Sequence, residues 1–194
     1  MRKPILLFFI VAIFAISCNS EYVPKPRGYF KIDFPQHNYQ MFDKPGFPYK
    51  FEYPVYAQIV QDTSFFDKAP ENPYWINVDF PRFNGRIYFS YKEIGKNSFD
   101  KLKEDAYKLT YKHTSKATSI EDSLMQTPLG VGGVFFKVGG NAATGKQFFL
   151  TDSTRHFLRG ALYFDTAPNE DSLSTVNQFL QQDLFHLINT FQWK

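Results

Sequence analysis

Asn97 to His113 reads NSFDKLKEDAYKLTYKH, and its periodicity differs from that of the segments around it. Phe99, Leu102, Ala106 and Leu109 recur at spacings of three and four with Lys, Asp and Glu between them, the signature of an amphipathic helix. Ser98 stands at the N-cap position and Asp100 in the first turn, while Lys108, Lys112 and His113 sit at the far end, so both termini agree with the helix dipole. Upstream, Tyr29–Phe34 and Tyr49–Tyr53 alternate with period two. Val55–Val60, Trp75–Phe80 and Arg86–Tyr91 are rich in the residue types that pack on a pleated surface. Downstream, Ile120–Gln126, Val134–Val138, Gln147–Thr151 and Phe157–Phe164 are again strand-like. A second helix closes the chain, with Leu173, Val176, Leu180, Leu184, Leu187 and Phe191 recurring behind the polar start Asn169-Glu170-Asp171-Ser172. Strands in runs, interrupted by one helix and ended by another, predict an α+β domain: a largely antiparallel sheet with two main helices packed on it.

Punctuation supports this order. Phe34-Pro35, Phe47-Pro48, Tyr53-Pro54 and Phe80-Pro81 mark strand ends or bends, because proline cannot donate to a ladder. Gly139-Gly140-Asn141 and Gly145 predict a hairpin whose loop needs positive φ. The 194 residues suit one domain, and 23 Phe, 12 Tyr and 2 Trp supply large rigid side chains for a core, with some expected to remain for a contact surface. A formal charge of +3 gives no basic field for nucleic acid.

The first residues carry an address. Arg2 and Lys3 precede the apolar run Ile5–Ile16, followed by Ser17 and Cys18. A basic start, a short apolar stretch and small residues make a secretory signal rather than a span, which needs about 20 apolar residues. Ala15-Ile16-Ser17-Cys18 resembles a bacterial lipobox, in which the cysteine is acylated and becomes the first mature residue. Residues 1–17 are therefore expected to be a lipoprotein signal peptide and residues 18–28 an acylated cysteine with a proline-containing tether. Residues 29–194 are expected to form a single domain. Cys18 is the chain's one cysteine, so no disulfide framework is expected. The tether, NSEYVPKPRG over Asn19–Gly28, would reach about 30 Å when extended. Several acyl chains hold a protein firmly to a membrane where one holds it marginally. The expected location is the cell envelope. Asn19, Ser20 and Glu21 after the cysteine form no acidic cluster of the surface-export kind, which favours the periplasmic face of the outer membrane.

Catalytic signals are weak. His37, His113, His156 and His186 have no zinc-site spacing, and no metal or cofactor is expected. Asp152, Ser153 and His156 invite a triad reading, but triad members converge from separate segments, and a turn is the expected role. Gly130–Gly133 and Gly139–Asn141 match no phosphate-loop spacing, and the pairs Glu121-Asp122 and Glu170-Asp171 read as solvated turns. No catalytic residue is assigned. Arg155, Phe157, Arg159 and Tyr163, together with Ala161, share one face of a strand, opposite Leu158, Gly160 and Leu162 on the core side. Arginines interleaved with aromatics are typical of protein contact sites, which makes these four the candidate partner-binding residues. The alternative is a glycan- or peptidoglycan-binding module in which Tyr56, Tyr74 and Trp75 stack on sugars.

The segment GGNAATGKQFFLTDSTRHFLRGALYF from Gly139 to Phe164, with LTYKHTSKA from Leu109 to Ala117, closely resembles the gliding motility lipoproteins of Bacteroidetes, the GldD family. PKPRGYFKIDFP near the start and the terminal LINTFQWK are similar to that family as well. The resemblance implies a non-catalytic envelope lipoprotein. It would act as a structural or assembly subunit of the gliding machinery and the linked type IX secretion system, with other proteins of that machinery as partners. The terminal helix after a strand-rich middle also resembles the PsbP/Mog1-type α/β/α sandwich, a likeness of fold alone.

Overall fold

A computed structural model describes residues 28, 31–63 and 70–194. Residues 33–194 make one compact unit, and the expected signal peptide, Cys18 and most of the tether lie outside the described residues. The elements run β1 (Tyr39–Phe42), β2 (Tyr49–Pro54), β3 (Gln58–Gln61), β4 (Ile76–Phe80), β5 (Gly85–Glu93), α1 (Phe99–Tyr111), β6 (Ala117–Gln126) and β7 (Gly132–Gly140). They continue with β8 (Lys146–Thr151), β9 (His156–Phe164), α2 (Glu170–Thr190) and β10 (Gln192–Trp193). The predicted α+β class is the observed one. Every strand pairing is antiparallel: a seven-stranded sheet ordered β3-β4-β5-β9-β8-β7-β6 and a three-stranded sheet ordered β1-β2-β10.

Both faces of the middle of the large sheet are covered. On one face Leu158 and Leu162 of β9, Phe148 and Leu150 of β8, and Ile87 and Phe89 of β5 meet Leu180, Leu184, Leu187 and Ile188 of α2 and Phe51 of β2 in a single apolar cluster. On the other face Leu102 and Ala106 of α1 pack on Val134, Phe136, Phe149 and Phe157. Thr110 extends this buried stripe, so the contact runs at i, i+4 and leaves Leu109, expected in the stripe, exposed. The Thr110 hydroxyl lies 3.0 Å from Ala106 O and 3.2 Å from Gln147 Oε1, which is how a hydroxyl is accommodated there.

The strand between Tyr29 and Phe34 is a correction. Tyr29 and Phe30 lie outside the described residues, and residues 31–34 carry no ladder. Pro35 ends any extended run there, and Phe34 stacks on Phe179 of α2 with ring centroids 4.3 Å apart. Val55–Val60 divides into a turn and the short β3, while β1 and β10 arise where no strand was expected. The glycine hairpin forms as predicted between β7 and β8, with Gly140 at φ +86°. Gly160 serves a different need. Its cross-strand partner is Phe148, and a Cβ at 160 would lie 2.2 Å from the Phe148 ring.

Asp183 stands in the buried stripe of α2 at 1 % exposure and ties the helix to the chain around β1. His37 Nδ1 lies 2.7 Å from its Oδ1, the Tyr39 hydroxyl donates to the same oxygen at 3.1 Å, and the Tyr56 hydroxyl donates to Oδ2. Burial, reinforced by the Asp183 charge, pushes the Tyr39 phenol up to about 12. One turn further, His186 Nε2 lies 2.6 Å from Glu52 Oε2 of β2. Removing a buried acceptor strands its donors, so Asp183→Ala is expected to destabilise the protein by about 3–5 kcal/mol. Asp183→Asn, which keeps one acceptor oxygen, should lose less. Urea denaturation of the two variants checks the order.

Candidate functional site

Parity along β9 is as the sequence predicts, but the face that carries Arg155, Phe157, Arg159 and Tyr163 is not an open surface. α1 lies across β7, β8 and the start of β9, because these central strands are apolar on both sides and need a second cover. Phe157 is consequently 3 % exposed and packs on Phe149 with ring centroids 5.1 Å apart. Its placement as a contact residue is corrected: it belongs to the core. Arg155 stands at the strand's entrance with 72 % of its side chain exposed. Arg159 and Tyr163 fall beyond the edge of α1, where β4, β5 and β9 present a half-covered face.

That face is polar and aromatic. Arg86 of β5 makes two parallel hydrogen bonds to Asp79 of β4, both 2.6 Å, and its guanidinium lies 5.6 Å from the Tyr88 ring centroid. The Asp79 carboxylate holds the Arg86 pKa above its usual value. Tyr88 meets Tyr163 edge to face at 5.7 Å. Arg159 Nη2 donates to Gln147 Oε1 of β8. Burial lowers the pKa of Arg159, with the Tyr163 phenol acting in the opposite sense. Burial, and then the charge of Arg159, lowers the His113 pKa as well. Asn77, Tyr88, Ala161 and Gln147 form one cross-strand row through this face. Asn77 Oδ1 and Gln147 Nε2 are buried there with no hydrogen-bond partner among the described residues, and unmatched groups of this kind cost about 1–3 kcal/mol each. The structure thus gathers two arginines, two tyrosines and two under-satisfied amides where sequence reasoning had only Arg159 and Tyr163. Gln147 was legible as the start of a strand, whereas its burial beside an arginine had no local signal.

The aromatics proposed for sugar stacking are elsewhere engaged. Trp75 is buried, its Nε1 donating to Tyr91 O at 2.7 Å. Tyr74 meets Tyr91 edge to face, and the Tyr56 hydroxyl is held by Asp183. Trp75 is buried, and Tyr56 and Tyr74 are half-buried against the core rather than part of an exposed platform.

Asp152, Ser153 and His156 form a turn, as the sequence predicts. Asp152 Oδ1 accepts from the backbone N–H groups of Thr154 (3.0 Å), Arg155 (2.8 Å) and His156 (2.8 Å). Ser153 adopts φ +62°, with its N–H donating to Thr151 Oγ1. His156 Nδ1 lies 2.7 Å from the Tyr91 hydroxyl, which engages that ring nitrogen. Burial works to raise the Asp152 pKa, but the three N–H donors and the His156 charge outweigh it and hold the carboxyl below its ordinary value. A depressed carboxylate contributes stability above its unfolded pKa of about 4 and loses that contribution as pH falls through the folded value. Asp152→Ala is therefore expected to destabilise by about 1–3 kcal/mol at pH 7, with the gap narrowing below pH of about 4. Denaturant midpoints of both proteins across that range test the sign.

Comparisons with known proteins place the chain. No curated protein matches it. Among solved structures it is similar to cyanobacterial PsbP (CyanoP) from Synechocystis, at 12 % identity and a TM-score of 0.47, covering 88 % of this chain and 100 % of that one. Residues 19–193 match the profile of the gliding motility lipoprotein GldD family, and with nearly its whole length inside that match the chain belongs to this family.

Proposed function

We propose that the chain is a lipid-anchored, non-catalytic subunit of the gliding machinery and its linked type IX secretion system, acting through protein–protein contacts. The family match over residues 19–193 is the observation that carries the reading. The lipobox-like Ala15–Cys18 supports acylation of Cys18 after removal of residues 1–17, with residues 18–28 as the tether and the domain beyond it. The periplasmic face of the outer membrane is the location this reading favours. The commitment of Asp152 to three backbone donors supports a structural role for the one triad-like segment.

The contact surface we assign is the half-covered face of β4, β5 and β9, with Arg86, Tyr88 and Tyr163 as its anchors and Arg159 beneath them. Arginine and tyrosine there are already held in place by Asp79 and by each other, and pre-ordered side chains lose less entropy on docking. Arg155, at the other end of β9, is a peripheral member.

Two measurements test this. Mild detergent extraction of the tagged full chain, followed by mass spectrometry, is expected to recover gliding or secretion components in stoichiometric amounts. Tyr88→Ala with Tyr163→Ala should lose them while keeping the wild-type circular dichroism. Recovery of the chain without such partners overturns the subunit reading. Cys18→Ser is expected to move the protein from the membrane fraction to the soluble one. Retention on the membrane overturns acylation at that residue.

A further inference from the structure

The β7–β8 hairpin and the first turns of α2 line a pocket of about 180 Å³ that opens to solvent. Lys146 lines it at 7 % exposure. Among the described residues no carboxylate or hydrogen-bond acceptor holds its ammonium, and burial, followed by the charge of Lys137, lowers its pKa. Its stem is buried while its ammonium reaches the mouth of the pocket, as long basic side chains do. Asn177 of α2 also lines the cavity, and its Oδ1 is buried without a partner. A basic group and an unmatched acceptor therefore meet in one space.

The rest of the lining narrows the ligand. Lys137, Lys146 and Glu170 are its charged members, with Lys137 facing Glu121 of β6 at 3.8 Å and Lys146 outside any ion pair among the described residues. The α2 N-terminus adds its dipole, although Asn169 Oδ1 and Asn141 Oδ1 already accept from the N–H groups of Ser172 and Glu170. Gln178 and Gln181 supply further amides and Phe164 an aromatic wall. The volume falls below the roughly 300–1,000 Å³ of drug-sized sites, which suits a single ring.

We propose that this cavity binds an acidic sugar residue, a pyranose bearing a carboxylate, with Lys146 receiving the carboxylate and Asn177 Oδ1 accepting from a ring hydroxyl. A bare phosphate or acetate dianion or monoanion would meet the charge of Lys146 but offer no ring for Phe164 and the glutamine amides. A neutral sugar would leave Lys146 unpaired. The site lies on the α2 side of the sheet, since Lys146 is the cross-strand partner of Leu162, and is separate from the Tyr88–Tyr163 face.

Isothermal titration of the full chain in detergent with glucuronate, glucose and inorganic phosphate tests the assignment. Glucuronate is expected to bind at least tenfold more tightly than the other two, and Lys146→Met to weaken it at least tenfold. Phosphate binding as tightly as glucuronate, glucose binding equally well, no glucuronate binding, or binding unchanged in Lys146→Met each overturns the proposal. Asn177→Ala provides a second variant on a less buried position, with the same tenfold loss expected. Amide chemical-shift mapping on the unsubstituted protein adds a readout independent of any variant. Shifts centred on residues 139–146 and 169–181 are expected, and shifts centred elsewhere overturn the site.

Discussion

Two-sided burial of the middle of the large sheet is the constraint from which the other features follow. Every residue of β8 is buried, and β9 is buried along most of its length. Strands of this kind cannot alternate apolar with polar residues, and each face requires its own cover. α1 supplies one cover. α2 and the three-stranded sheet supply the other, joined by Phe51, Phe89 and Phe191, whose rings lie 5.5–6.1 Å apart from Phe51 outward. The half-covered face exists for the same reason: α1 has 13 residues and spans only part of a seven-stranded sheet.

The aromatic content takes its meaning from this arrangement. Tyr49, Phe51, Phe80, Phe89, Tyr91, Phe136, Phe148 and Phe191 are among the largest fully buried side chains. Of the large apolar side chains exposed among the described residues, Tyr111 and Phe185 are the aromatic ones. The rings expected to remain for a contact surface are instead interlayer packing, where large side chains fill the gap between two sheets with few rotatable bonds. Tyr88 and Tyr163 are among the partly covered ones, and they stand where α1 stops.

Much of the fold was legible because its signals are local. The period change at Asn97–His113, the N-cap asparagine at 169 and the glycine hairpin at 139–145 each state their structure within a few residues. What escaped depends on partners far away in the chain. Asp183 reads as a polar interruption of an apolar stripe until His37, Tyr39 and Tyr56 are seen to surround it. Phe157 reads as one outward member of an alternating strand until α1 is laid over it. The parity of β9 was legible, whereas which parity meets water was not, because a helix 46 residues away from Phe157's ladder in sequence decides it. Lys146 and Gln147 are likewise ordinary polar residues at a strand start, and only the third dimension makes them a buried cation and a buried amide.

β10 has two residues, Gln192 and Trp193, paired with Lys50 and Tyr49, and the N–H of Lys194 donates to Pro48 O at 3.0 Å. Residues 192–193 therefore complete the three-stranded sheet across nearly the full sequence distance of the domain. Loop closure on that scale comes late in folding. Local hairpins and helices can form before residues 192–194 are made, but the layer that covers the core cannot lock until those residues are free to pair with 48–50.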